Sequence, residues 1–245
     1  MEWHERDGVR WLEADLPGAR AAFSTRLGGV SDGPYEALNV AAKTDDDPDR
    51  VRENRHRLAA AMGRNPADVV MGRQVHGTEL RWHDRRQNPR VFADVVKSPD
   101  EADAQATAEP GLAPLVMVAD CLPIALSGRE GVAMVHGGWR GLAGGIVARA
   151  AEAVQAEAAA IGPGIGPCCY EVGEEVLAEF AELEGVAVGR MLDLTAVATR
   201  LLERAGVEQI HASGLCTSCN PELLFSHRRD GERTGRQAGL VWKQE

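Results

Sequence analysis

Apolar runs crowd the middle of this chain without a regular alternation between strand and helix, and that order limits the fold most. The runs are Leu115–Ala119, Pro123–Ser127 and Val132–His136. Further strand candidates are Ala21–Ser24, Val69–Val75, Ala159–Ile161, Val207–Ala212 and Ala238–Trp242. A doubly wound parallel sheet needs a helix after each strand. Clustered strands instead predict an α+β fold, with helices covering a mixed sheet. Four helices are predicted. The first runs through "DDDPDRVRENRHRLAAAMG". Asp47 caps its start, Pro48 fits the first turn and Gly63 ends it, with Val51, Leu58 and Met62 on one face. The second spans Leu142–Ala158, after the "GWRG" turn. The third covers "EEVLAEFAELEG", residues 174–185. The fourth starts at Asp193 and stops at Gly206. There is no long linker, low-complexity tract or internal repeat, so residues 1–245 read as one domain.

The chain has 245 residues, of which 44% are hydrophobic and 26% charged, enough for a packed core. Its formal net charge of -10 argues against nonspecific binding to nucleic acid or to anionic membranes, both of which favour a basic excess. A local arginine cluster can still hold a phosphate. No apolar run approaches the roughly 20 residues of a membrane span. The opening "MEWHERDGVRWLEADLPG" has no apolar signal-peptide core, so a cytoplasmic location is expected. Five cysteines stand at 121, 168, 169, 216 and 219. An odd number in a reducing compartment argues against a disulfide framework. Each cysteine is a free thiol, a ligand or a nucleophile.

Three apolar runs end in a reactive side chain beside turn residues. "MGRQVHGTE" presents His76, "LVMVADCLP" presents Asp120 and Cys121, and "VAMVHGGWRG" presents His136. Two histidines and a cysteine suit zinc, leaving a fourth coordination position for water. Taken singly, a cysteine after an apolar run is usually a small core residue, and a histidine before glycine a turn residue. The separations of 45 and 15 residues match no compact zinc motif. "IGPGIGPCCYEVGEEV" makes a stiff Gly/Pro loop before a helix. It either offers N–H groups to an anion or is shaped by close packing. Neither a dinucleotide nor a P-loop fingerprint is present. "CTSCNPELLFSHRRDGERTGRQ" holds one CxxC, Cys216 and Cys219, and a basic knot at His227, Arg228, Arg229, Arg233 and Arg236. Adjacent side chains rarely share one tetrahedral ion, so Cys168 and Cys169 are not expected to complete a four-cysteine zinc site. Asn220-Pro221 does not fit a redox CxxC opening a helix. The arginines either face solvent or hold a phosphate, and Arg26 in "FSTRLGGVS" offers the same choice.

"FSTRLGGVSDGPYEALNV", "RQVHG", "ADAQAT", "VADCLP", "VHGGWRG", "GPGIGPCCYEVGEEV" and "FSHRRDGERTGRQ" occur in that order from residue 23 to 237. Together they resemble the laccase-domain family, also called the polyphenol oxidoreductase or peptidoglycan editing factor family. The resemblance implies a single domain with a four-layer α/β/β/α arrangement, mixed sheets and a likeness to cysteine hydrolase-like toxins. It also implies a metal site at His76, Cys121 and His136. The chain departs from the family's A-H-A-G-W-R-G with V-H-G-G-W-R-G, and from D-A-L-V-T with D-A-Q-A-T, which puts Gln105 where leucine is usual. Neither change touches a ligand.

A multicopper oxidase needs more histidines, commonly in H-x-H pairs. This chain has seven and no such pair. Copper at the Cys/His site in vitro would give at most a weak phenol oxidation. The resemblance points instead to a zinc enzyme of purine nucleosides. Its reactions would be phosphorolysis of adenosine, inosine or methylthioadenosine and deamination of adenosine. Cys121, His136, His76 and Asp120 are then the catalytic candidates. Asp120 is either a proton acceptor or ligand support, or a turn-capping carboxylate. Arg26, Arg140 and Arg228 are the phosphate candidates. Two alternatives belong to other classes. One is a hydrolase of peptidoglycan precursors with Cys121 as nucleophile and His136 as base. The other is a noncatalytic editing factor whose metal only shapes a cleft.

Overall fold

A computed structural model describes residues 1–87, 90–95, 97 and 99–244. Among these the chain runs β1 (Glu2–Arg6), β2 (Val9–Leu16), β3 (Ala19–Ser24), α1 (Pro48–Ala61), β4 (Val69–Val70), β5 (Leu80–Trp82), β6 (Ala104–Thr107), β7 (Ala113–Val118), β8 (Leu122–Gly128) and β9 (Val132–Gly137). It continues through α2 (Trp139–Ala143), α3 (Ile146–Val154), β10 (Ala156–Ile161), α4 (Glu174–Ala178), β11 (Ala187–Val188), β12 (Met191–Leu192), α5 (Leu194–Arg204), β13 (Gln209–Ala212), α6 (His227–Asp230) and β14 (Gln237–Lys243).

The strands build two mixed six-stranded sheets, ordered β1-β2-β3-β14-β7-β4 and β13-β10-β8-β9-β6-β5, as the α+β reading expected. The sheets face each other. Leu12, Phe23, Val116 and Val241 of the first meet Ala125, Met134 and Ala160 of the second in a shared core. The far side of the first sheet packs on α1 through Val9, Leu58, Ala59 and Leu240. The far side of the second is covered by α3 and α5 through Val135, Ile146, Ala150 and Val197. Both sheets therefore bury two faces, which explains why their strands read as continuous apolar runs rather than alternating ones. Among the described residues, no helix is long and apolar enough to cross a membrane.

The first helix follows its sequence signals. The Asp47 side chain accepts from the Asp49 N–H, Pro48 sits in the first turn, and Val51, Leu58 and Met62 are buried. The helix starting at Asp193 is likewise capped, by acceptance from the Ala196 N–H.

Other boundaries moved. The helix predicted for Leu142–Ala158 is instead α2 and α3, separated at Gly144-Gly145, and it stops at Val154. Gly145 has a left-handed φ of 86°, and so does Gln155, at 49°. The alanines from 156 onward join β10, because that segment is buried in the second sheet beside β8. The helix predicted for residues 174–185 ends at Ala178. Turns then draw Phe180, Leu183 and Val186 into the core beneath α5. The strand predicted for Val69–Val75 forms a ladder over Val69–Val70, with one further bridge between Arg73 and Glu101. Beyond it the Gln74 side chain takes the place of backbone, donating to the Met117 carbonyl at 2.7 Å and accepting from the Met117 N–H at 2.8 Å.

A metal-ready cleft at one end of the sheets

Strand register brings the central residues together. In the β8–β9 hairpin, Leu122 lies opposite Gly137 and Pro123 opposite His136. Cys121, one residue before the hairpin pairing begins, therefore meets the turn that follows His136. On the other side of β9, Ala104 pairs with Val135, and the His136 N–H donates to the Asp103 carbonyl. The segment after β4 then carries His76 over the top of these strand ends. The donor atoms of His76, Cys121 and His136 lie within 4.8 Å of one another, with His76 Nε2 at 3.8 Å from Cys121 Sγ. The two imidazoles meet edge to face, their centroids 4.8 Å apart.

The residue that sequence reasoning missed here is Asp103. Its Oδ1 accepts from His136 Nδ1 at 2.7 Å and from the His76 N–H, and its Oδ2 accepts from the N–H groups of Val75 and Gly77. One fully buried carboxylate thus fixes the ring of one histidine and the backbone of the other. His76 needs that hold, because its φ of 60° is left-handed and rare outside glycine. Burial works against the charge on Asp103, yet the His136 and backbone hydrogen bonds hold its pKa below the usual carboxylate value. The acidic residue in "ADAQAT" was visible in the sequence, but nothing local tied it to a histidine 33 positions away.

The charges around Cys121 favour its thiolate. Burial opposes ionisation, but the charge on His136 and hydrogen bonds from both histidines bring the thiol down to about 6. Burial likewise opposes charge on His136, and the Cys121 and Asp103 charges raise it to about 9. With His136 Nδ1 tied to Asp103, its Nε2 is left to face Cys121, the arrangement in which a carboxylate orients a metal-binding histidine. Gly138 leaves the space open. A Cβ there would lie 3.0 Å from His76 Cδ2 and 3.2 Å from Cys121 Sγ. Two imidazoles and a thiolate in this spacing fit one zinc-sized ion with an open position. The same three donors would also accept one copper. Among the described residues, only one other group of this kind exists, and it contains no histidine. Among the described residues a multicopper centre therefore lacks its ligands.

The trio lines a cleft of about 730 Å³ that also includes Tyr170, Trp139, Arg140, Arg228 and Arg236. Exposed Arg140 stacks over Trp139, and Arg228 lies over Tyr170 while donating to the Glu171 carbonyl. Burial, with the Cys121 charge adding, raises the Tyr170 phenol to about 12, so it stays protonated. Arg26 lies elsewhere. Its guanidinium donates to the carbonyls of Glu36 and Pro221 and stacks over Phe225, and it does not line the cleft. Asp120, at a left-handed φ of 94°, accepts from Thr217 Oγ1 at 2.5 Å and from the Arg228 N–H at 2.7 Å. Both of its oxygens are engaged in tying two loops to the strand end that carries Cys121. Arg229 is also occupied, donating to the carbonyls of Thr217 and Leu224.

The Gly/Pro loop follows the packing alternative. A Cβ on Gly162 would collide with the Phe23 ring, and one on Gly164 with Leu122. Gln105 does not line the cleft. It is buried, and its Oε1 accepts from His83 Nε2 at 2.7 Å.

The family model described as multi-copper polyphenol oxidoreductase laccase matches residues 20–244. A purine nucleoside phosphorylase of Shigella flexneri is 39% identical over 239 residues, covering 92% of this chain and 94% of that protein. One from Streptomyces coelicolor is 40% identical over 245 residues, covering 92% and 96%. Among solved structures, YlmD from Geobacillus stearothermophilus superimposes with a TM-score of 0.90 at 33% identity, covering 99% of this chain and 98% of that one.

Proposed function

The chain belongs to the multi-copper polyphenol oxidoreductase laccase family, and on that premise we propose that it is an enzyme of purine nucleosides, a zinc-dependent purine nucleoside phosphorylase that also deaminates adenosine. The observation that carries this reading is the convergence of His76, Cys121 and His136 in a cleft whose lining includes Arg140, Arg228 and Arg236. The volume, about 730 Å³, lies within the usual range for small-molecule sites. The relatives named as purine nucleoside phosphorylases span nearly the whole chain.

When bound, zinc supplies Lewis acidity toward a purine substituent or a water. The chain's own residues do the rest. Asp103 holds His136 in the tautomer whose Nε2 faces the cleft, and it holds His76 in its left-handed turn. Arg140 and Arg228, both beside aromatic rings, are assigned to phosphate, whose attack on the ribose C1′ releases the base. Asp120 acts as a positioning residue, because its oxygens are committed to Thr217 and the Arg228 N–H.

A second reading is favoured by one observation. Cys121, His136 and Asp103 are also ordered as nucleophile, base and orienting carboxylate. That reading gives a thiol hydrolase, with peptidoglycan precursors as one substrate class.

Metal-quantified protein incubated with adenosine, with and without phosphate, separates the two. Phosphate-dependent adenine, or inosine, that disappears on chelation and in Cys121→Ala supports the zinc nucleoside reading. Full nucleoside turnover by metal-free protein overturns it. A hydrolase that survives chelation but not alkylation supports the second.

A further inference from the structure

Cys168, Cys169, Cys216 and Cys219 stand together although the sequence argued against it, and their four sulfurs lie within 4.8 Å of one another. The sequence expectation failed for a local reason. Successive side chains diverge along an extended strand, but here the chain turns, with the Cys169 N–H donating to the Gly166 carbonyl at 3.0 Å. The turn presents both thiols to the same partner, so Cys219 Sγ is 3.4 Å from Cys168 Sγ and 3.4 Å from Cys169 Sγ. A second turn carries Cys216 and Cys219, closed by Asn220 donating to the Cys216 carbonyl. Gly166 allows the two turns to approach, since a Cβ there would lie 3.2 Å from Cys216 Cβ. The Gly166 N–H donates to Cys216 Sγ at 3.3 Å, a contact that favours a thiolate.

We propose that these four cysteines bind one zinc ion as a tetrahedral tetrathiolate, a site separate from the His76–Cys121–His136 group. Sulfurs around a zinc with bonds of about 2.3 Å sit about 3.8 Å apart, and the separations here, 3.4 Å from Cys219 to Cys168 and to Cys169 and at most 4.8 Å within the group, accommodate that value. They are far longer than the roughly 2.05 Å of a disulfide. They are too compact for an iron–sulfur cluster, whose cysteines bind different irons. Binding one divalent ion releases the four thiol protons to solvent, leaving a doubly negative site. The site staples the Gly164–Cys169 loop to the Leu215–Asn220 loop, which already share a bridge between Gly164 and Cys216. Both loops lead to the cleft, because Thr217 bonds Asp120 and the Ile165 N–H donates to the Asp120 carbonyl. The ion therefore holds the wall that carries Tyr170 and Arg228.

The test is metal quantification on full-length protein whose first site is disabled by Cys121→Ala. One zinc per chain is expected to remain, and adding Cys168→Ser or Cys219→Ser is expected to remove it. Cys219→His, which supplies a ligand nitrogen in place of the sulfur, should retain the ion. Cobalt exchanged into Cys121→Ala should give thiolate-to-cobalt charge-transfer absorption that Cys168→Ser abolishes. Cys121→Ala protein without zinc, with all four thiols reacting as fast as in the unfolded chain, would overturn the proposal. So would an intact mass two hydrogens short, which marks a disulfide.

Discussion

Asp103 does two jobs with one carboxylate, and substitutions there separate them. Asp103→Asn keeps the shape but gives up an acceptor and the charge that orients His136. Losing such an orienting partner typically weakens metal binding about 10–100-fold, and a zinc competition titration reads that directly. Unchanged affinity in a folded variant would mean the carboxylate only braces the backbone. Gly138→Ala probes the same place from the other side. Its φ of -79° suits any residue, so the fold should stay intact while the methyl group presses on His76 and Cys121. Lost metal with an unshifted melting temperature is the expected pair of results. His83 offers a different test, remote from the metal group. Burial lowers its pKa in the fold below the ordinary 6.5, with Arg81 assisting and the Gln105 hydrogen bond opposing. Below that value the unfolded chain binds more protons, so stability rises with pH through this window and is lost as pH falls. Denaturant unfolding at about pH 7.5 and about pH 5.5 should show a smaller loss for His83→Asn than for the parent. Equal losses would place the titration elsewhere.

At the scale of elements, Gln74 shows a side chain doing the work of a strand. It caps the edge of β7 by pairing with both backbone groups of Met117. Gln74→Ala should cost about 1–3 kcal/mol, because it strands a donor and an acceptor. A chemical denaturation curve measures the shift, and a loss near zero would mean water replaces the amide freely. This device also explains what the sequence could and could not convey. The segment Val69–Val75 reads as a strand, but beyond Val70 a glutamine amide takes the place of the backbone partner of β7. Helices with side-chain caps, at Asp47 and Asp193, were legible because capping is local. The stretch from Ala156 to Ala158 was not, since helix propensity favours alanine and only the neighbouring β8 decides for a strand. The N-terminal hairpin turned at Asp7-Gly8, both at positive φ, was a local signal passed over. Cys121 and His136 were legible as side chains beside strand ends, and His76 as a histidine before a turn glycine. Asp103, Tyr170 and the cysteine cluster depend on register and loop approach, which no short segment encodes.

The whole molecule holds together through the core between its sheets. Leu12, Phe23 and Val241 on one side and Met134 and Ala160 on the other close a single layer, so neither sheet keeps a covered inner face if the other leaves. Each outer layer needs its own sheet as a floor. The tryptophans Trp11 and Trp242 report on the α1 side, and Trp139 reports on the opposite side beside the cleft. Shared burial predicts that tryptophan fluorescence and far-ultraviolet circular dichroism follow one denaturant transition. Met134→Ala opens a cavity at the centre of that layer, and truncations of this kind cost about 2–5 kcal/mol. The midpoint should fall for both probes together, with the slope unchanged. A variant in which one probe moves and the other holds would show two independently stable halves. The loops that carry Cys121 and Arg228 would then be joined only by the cleft itself.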